Sequence, residues 1–247
     1  MENFQFLAKK SWYKQWWGVT IIVVACLLVS LSIAIGLLTW RYQSLIKQGY
    51  GDELRKMIFG NQQSDLQIMA TREELEKKDR PFLGNSEAEI VIVEFIDFKC
   101  PVCKQQDPVI RQIIDKYGQR IKFIVRNFPI ESLHPGASKI SEMAHCAHEQ
   151  GLYWLAHDYI FSHQDELTQN LTAETINSFI NYIGADSIQF NSCLISDKTK
   201  IEINLDYATG YKYGVMGTPT FFINGYKIQG DIPLNSWEDM ISSILNP

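Results

Sequence analysis

A chain of 247 residues allows one globular domain of ordinary size plus accessory segments. Its formal net charge of −5 and pI near 5.6, with no basic stripe carrying interleaved aromatics, exclude nucleic acid and other polyanions as partners. What remains to be explained is one long apolar run near the start and the placement of 5 cysteines.

Residues 1–17 form a polar, aromatic N-terminus that is expected to be cytoplasmic, and residues 18–40 follow without a single charge. The run is rich in Val, Ile and Leu and long enough to span a bilayer as a helix. Trp16, Trp17, Trp40 and Tyr42 suit the two interfacial belts. A cleavable signal peptide competes, with Ala34-Ile35-Gly36 as its cleavage site, but the apolar core exceeds the usual signal-peptide length. An uncleaved anchor is therefore expected. Lys9, Lys10 and Lys14 precede the span, whereas Arg41 and Lys47 follow it, a small bias that puts the N-terminus inside. Cys26 lies within the span as a small apolar filler.

Residues 41–80 are polar and charge-rich, and Gly49, Gly51 and Gly60 interrupt any single helix. Without a sustained heptad pattern the segment reads as a tether, with a dimerisation segment, and hence a homodimer, as the sharper alternative.

From Pro81 the pattern becomes globular. An apolar, β-branched stretch predicts a buried strand near 89–97, followed by Cys100-Pro101-Val102-Cys103 and a helix to about Tyr117. Pro101 suits the first helical turn, where its missing N–H costs nothing. A cysteine at that helix start faces unpaired N–H groups and the positive end of the macrodipole, which stabilise a thiolate. The same spacing supplies half of a zinc site, but no second ligand pair exists, so no metal and no cofactor is expected. A purely structural disulfide in so short a loop would remove little entropy from the unfolded chain. A second strand is predicted over 121–128, then an inserted region of three or four helices at about 130–197, broken by the polar stretch from Ser162 to Thr172. A helix over 198–213, a hairpin turning at Asn224-Gly225 and a last helix over 234–245 complete the chain.

A C-x-x-C after the first core strand, with Gly217-Thr218-Pro219-Thr220-Phe221 more than a hundred residues later, resembles the thioredoxin fold with a helical insertion, as in DsbA-like thiol-disulfide oxidoreductases. His134-Pro135 and the stretch from Cys146 to Phe161 are similar to the helical domain of membrane-anchored or secreted members, so the resemblance covers residues 81–247. It implies an α/β thioredoxin fold with an α-helical insertion behind one transmembrane helix. It further implies that Cys100 is the nucleophile, Cys103 the buried resolving thiol, and Pro219 a cis proline against the disulfide, leaving the Thr218 backbone to bind an extended substrate. Glu94 matches the buried acid of that family; strand alternation puts it with Ile92 and Ile96, either buried as a proton relay or exposed at an edge. Asp97, on the opposite side, is expected to be solvated, and Lys99 to add a small pull on the thiolate. Valine at 102 brings no cation, which implies a potential less extreme than that of the strongest oxidants.

The family also places cysteines like Cys146 and Cys193 close enough to bond, most simply as a staple of the helical insertion. A disulfide there would persist only outside the cytosol, which puts the C-terminal domain on the periplasmic side of a bacterial inner membrane. The implied function is oxidation of cysteine-containing exported proteins, with a DsbB-like membrane partner restoring the disulfide. An isomerase or reductase fed by a DsbD-like electron donor, and a non-catalytic chaperone-like binding module, are the alternatives.

Overall fold

The computed structural model describes residues 20–21, 23–41, 72–169 and 171–246. Residues 42–71, most of the expected tether and of its dimerisation alternative, lie outside the described residues, as do the basic flank before the span and all the belt aromatics but Trp40. Two units are distinct, one ending at Ser64 and one beginning at Asp65. In the first, helix α1 (Val23–Arg41) has a mean hydropathy of 2.4, and it alone among the described residues is long and apolar enough to cross a membrane. Its few hydroxyls are satisfied within the helix: Ser30 donates to the Leu27 carbonyl at 2.9 Å, Ser32 to Leu28 at 2.6 Å and Thr39 to Gly36 at 2.9 Å. Such back-bonding is how a polar side chain is tolerated where no water can reach it.

The second unit is built on a five-stranded sheet in the order β1-β3-β2-β4-β5. Strands β2 (Ile90–Ile96) and β3 (Ile121–Asn127) run parallel, joined by the crossover helix α3 (Pro101–Tyr117). The outer pairings, β1 (Phe82–Gly84) on β3, β4 (Thr220–Ile223) on β2 and β5 (Tyr226–Gln229) on β4, are antiparallel. Every residue of β2 is buried, as expected for a central strand covered on both faces. One face carries Val91, Val93 and Phe95 into a core with Leu75, Phe128, Tyr213 and Phe222. On the other, Phe221 meets Trp237 of α10 (Leu234–Leu245) edge to face at 4.9 Å.

Between β3 and β4 the chain forms α4 (Ala137–His148), α5 (Tyr153–Ser162), α6 (Gln164–Gln169), α7 (Ala173–Ile183), α8 (Ser187–Leu194) and the long α9 (Asp197–Lys212). The insertion thus holds five helices before α9, not three or four. The polar stretch after Ser162, expected to be a break, contains the short α6. Good caps mark the ends: Thr172 forms a capping box with Thr175, Asp186 caps α8 and Ser196 caps α9. Gly210 of α9 presses against the sheet so closely that a Cβ would lie 2.7 Å from the Phe128 ring.

Domain packing begins before Pro81. Residues 72–80, expected in the tether, belong to the globular unit: α2 (Arg72–Leu75) buries Leu75, and Arg80 is buried beneath α9. Arg80 Nε donates to Asp206 Oδ1 at 2.9 Å and its Nη2 to Glu202 at 2.8 Å, while Lys77 reaches Glu202 at 2.8 Å. Arg126 of β3 also donates to Asp206 Oδ1, and its Nη1 donates to the Glu74 carbonyl at 2.8 Å. A scatter of charges without apolar periodicity hid this segment from pattern reading, because a buried ion-pair network holds it as well as an apolar face.

Asp206 sits between two guanidinium groups with almost no water access, so removing it leaves the buried Arg126 without a carboxylate and Arg80 with Glu202 alone. Asp206→Ala is expected to lower the unfolding free energy by about 3–5 kcal/mol, seen as an earlier denaturant midpoint at unchanged slope. Glu202 is held down to about 2, chiefly by Lys77 and then Arg80. A depressed carboxylate stabilises the fold above its ordinary value, so this contribution is lost only as pH falls from about 4.5 through about 2.

Candidate active site

The C-x-x-C lies where the buried β2 hands over to α3. Cys100 is the N-cap of α3, with extended backbone (φ −76°, ψ 120°) and no side-chain cap, and Pro101 opens the first turn. The first N–H groups of the helix are therefore left without intrahelical partners and surround the Cys100 sulfur. Cys103, one turn on, is buried with 1% exposure, and Cys100 retains 6%. Both are free thiols. Across from them the Thr218–Pro219 peptide is cis, and the Cys100 thiol donates to the Thr218 carbonyl at 3.3 Å. The Thr218 hydroxyl is buried with no partner, which leaves its proton available to a sulfur anion.

These groups divide the two sulfurs electrostatically. The Cys100 pKa falls to about 5, first because the Cys103 thiol donates to the thiolate, then through the Thr218 hydroxyl and the N–H groups of Cys103 and Val102, all opposing the cost of burial. Burial pushes Cys103 well above the ordinary thiol range, and its hydrogen bond to Cys100 and the charge of Glu94 add to the rise. The pair is thus built as one thiolate and one thiol at neutral pH.

Glu94 is buried in the middle of β2, opposite Val125 of β3 and Phe221 of β4. Burial first, and then the charge of Asp107, raise its carboxyl well above the usual range, with Arg111 opposing. Arg111 is itself held by Asp107 at 3.2 Å, by Asp158 and by the His157 ring nitrogen at 3.2 Å, and it stacks on Trp154 at 5.0 Å. Burial thus drives both Glu94 and Cys103 toward their neutral forms, with the charge of Glu94 adding to the rise at Cys103.

Asp97 departs from expectation. It is fully buried, because β2 ends at Ile96 and the chain turns inward there. Its carboxylate accepts from the Lys99 N–H at 2.8 Å, the Ile130 N–H at 2.9 Å and lies 2.8 Å from His134 Nδ1, tying the loop before Cys100 to the loop after β3. Strand alternation does not apply past the last paired residue, and this acid serves as a loop staple. Lys99, expected to pull on the thiolate, donates its ammonium to the Pro135 carbonyl.

Cys146 of α4 and Cys193 at the end of α8 are disulfide-bonded, with Cα atoms 5.7 Å apart, and join two helices of the insertion. They stand apart from the C-x-x-C constellation. Gln164, which pattern reading passed over within the polar stretch, does reach it: its Nε2 donates to the carbonyls of Phe98 at 2.9 Å and Cys100 at 3.0 Å. Only its apolar surroundings at 160, 161 and 167 could have marked it as buried.

A family model described as Thioredoxin matches residues 76–243, and the chain belongs to that family. Within it the fold is of the DsbA type. The thiol-disulfide exchange protein alpha-DsbA2 from Wolbachia pipientis is 25% identical, over 70% of this chain and 91% of that one, with a TM-score of 0.57. A thioredoxin-like oxidoreductase from Silicibacter pomeroyi, 22% identical, shares the fold over 72% of this chain and 99% of its own, with a TM-score of 0.61. A Na(+)/H(+) antiporter NhaA 3 of Salinispora tropica is 33% identical over 147 residues, 60% of this chain but only 22% of that protein. The chain likewise spans 24% of an NhaA 1 antiporter from Salinispora arenicola, so the likeness to these relatives is to a minor part of each.

In the reduced protein, ultraviolet thiolate absorbance should titrate in one step near about 5. The step should vanish in Cys100→Ser, and alkylation by iodoacetamide should rise through that pH and stay flat to neutrality while Cys103 remains a thiol.

Proposed function

We propose that this chain is a thiol-disulfide oxidoreductase that oxidises cysteine pairs in exported proteins. The observation that carries the reading is the asymmetric sulfur pair: a stabilised Cys100 thiolate at a helix start, a buried Cys103 thiol behind it, and the Thr218-Pro219 turn facing them. In the oxidised protein a substrate thiolate attacks Cys100 Sγ, the Cys100–Cys103 bond breaks, and a mixed disulfide forms with the electron pair on Cys103. Glu94 supplies the proton that this buried thiolate takes up. A second substrate thiolate then attacks the substrate sulfur of the mixed disulfide and expels Cys100 as the stable thiolate. Two electrons have moved from substrate to protein, and the substrate holds the new disulfide.

A good leaving group at Cys100 favours donation, because stabilising the reduced form makes the disulfide more oxidising. Return of the two electrons requires an oxidant, for which we propose a membrane redox partner of the DsbB type. Helix α1 would hold the domain at the outer face of the cytoplasmic membrane. The Cys146–Cys193 bond supports that side, since stable disulfides belong to oxidising compartments.

Equilibration of the full-length protein, in detergent, against glutathione buffers tests the direction. A potential of roughly −120 to −180 mV, with stoichiometric oxidation of a two-cysteine peptide that is abolished in Cys100→Ser, is the expected result. A potential near about −270 mV would make the protein a reductant, and peptide binding that survives Cys100→Ser without exchange would leave only a binding module.

A further inference from the structure

We infer that Gln164 is a positioning residue through which the helical insertion sets the state of the Cys100 sulfur. The inference rests on the exchange chemistry proposed above, but its physical basis is independent of direction.

Four residues, Asp97 to Cys100, connect the end of β2 to the start of α3, and their geometry fixes where the Cys100 sulfur stands. The Cys100 carbonyl accepts the helical N–H of Lys104 at a long 3.3 Å. Phe98 is fully buried, so its carbonyl needs a partner from within the protein. Gln164 serves both: one primary amide has two N–H bonds, and here they go to Phe98 at 2.9 Å and Cys100 at 3.0 Å. The side chain is itself only 5% exposed.

Its own position is over-determined from the insertion side. His163 closes α5 through its N–H to the Tyr159 carbonyl at 2.9 Å, and the Leu167 N–H returns to His163 at 3.0 Å with Leu167 buried. Phe161 and His157 of α5 pack on the Phe98 ring at 5.3 and 5.8 Å. The insertion thus grips the loop by an apolar contact at Phe98 and a polar one on either side of Lys99.

An amide donor at the Cys100 carbonyl has an electrostatic consequence for the sulfur of the same residue. Carbonyl oxygens near a thiolate disfavour it, and donors that engage them offset this while presenting the positive end of the amide dipole. The titratable groups around Cys100 are Cys103 on α3 and Glu94 on β2, with the Thr218 hydroxyl opposite; Gln164 is the contribution from the insertion.

The test uses the full-length protein in detergent, carrying Gln164→Leu or Gln164→Glu, with thiolate absorbance and the glutathione equilibrium as readouts. Gln164→Leu removes both donors, and the Cys100 titration should move up by about half a unit to one unit, with the equilibrium shifting about 3- to 10-fold toward the protein disulfide. Gln164→Glu keeps the shape, so it stands in if leucine disturbs α6; its buried carboxyl, held neutral against two carbonyls, retains one donor of the two and should move the titration in the same direction by less. A folded variant of either kind with the wild-type titration midpoint would overturn the inference. Should the wild-type protein fail to exchange with glutathione at all, the proposed function falls, and the absorbance titration still decides the role of Gln164.

Discussion

The uncapped start of α3 is the constraint from which the rest of the site follows. Most helices satisfy their first N–H groups with a serine, threonine or aspartate side chain; here the capping position is held by a cysteine that makes no such bond. The free N–H groups of Val102 and Cys103 are then spent on the sulfur whenever it ionises. A conventional cap at position 100 would stabilise the helix and remove the chemistry. The helix must therefore be held by other means, and it is: Ile110 and Ile113 are buried beneath it, and Gln106 exchanges two hydrogen bonds with the backbone of Ile232 before α10.

Burial acts in opposite directions on the groups around that helix start. Cys103 and Glu94 are both deep in the low-dielectric interior, and each is pushed toward its neutral form. Cys100 is nearly as buried by area, but a thiol, a hydroxyl and two amides point at it, and hydrogen bonding to the charged form outweighs desolvation. One site therefore keeps one charge. Glu94 stands on the central strand, paired on one side with parallel β3 and on the other with antiparallel β4, which keeps it buried.

Pattern reading gave the regular part of this architecture almost to the residue. The strand expected at 89–97 is Ile90–Ile96, and the helix expected at 234–245 is Leu234–Leu245. The first is an apolar, β-branched run and the second carries its apolar residues at helical spacing. Elements held by polar contacts were not legible: Arg80 is fixed by Asp206 and Glu202 and the end of α2 by Arg126, all from far along the chain, and the three-residue β1 is too short to show alternation. The same limit hid Asp97 and Gln164, since their partners are backbone groups in loops whose proximity no periodicity records. The pairing of Cys146 with Cys193 came from resemblance to a family, not from spacing.

Valine at position 102 led to an expectation of modest oxidising power, on the premise that the two residues between the cysteines set thiolate stability. The Val102 side chain is not among the groups that lower Cys100. Of the groups that lower Cys100, Val102 contributes through its backbone N–H alone, and the largest share comes from the Cys103 thiol, followed by the Thr218 hydroxyl. A thiolate stabilised first by the Cys103 thiol, then by the Thr218 hydroxyl and two backbone N–H groups, depends on how the helix start and that neighbouring loop are held against each other. The Thr218-Pro219 turn, supplied from outside α3, faces the sulfur directly, and Asp97 with His134 ties down the loop that leads to it. The charge on Cys100 thus rests on the motif's own Cys103 thiol and N–H groups together with the Thr218 hydroxyl that the fold brings against them.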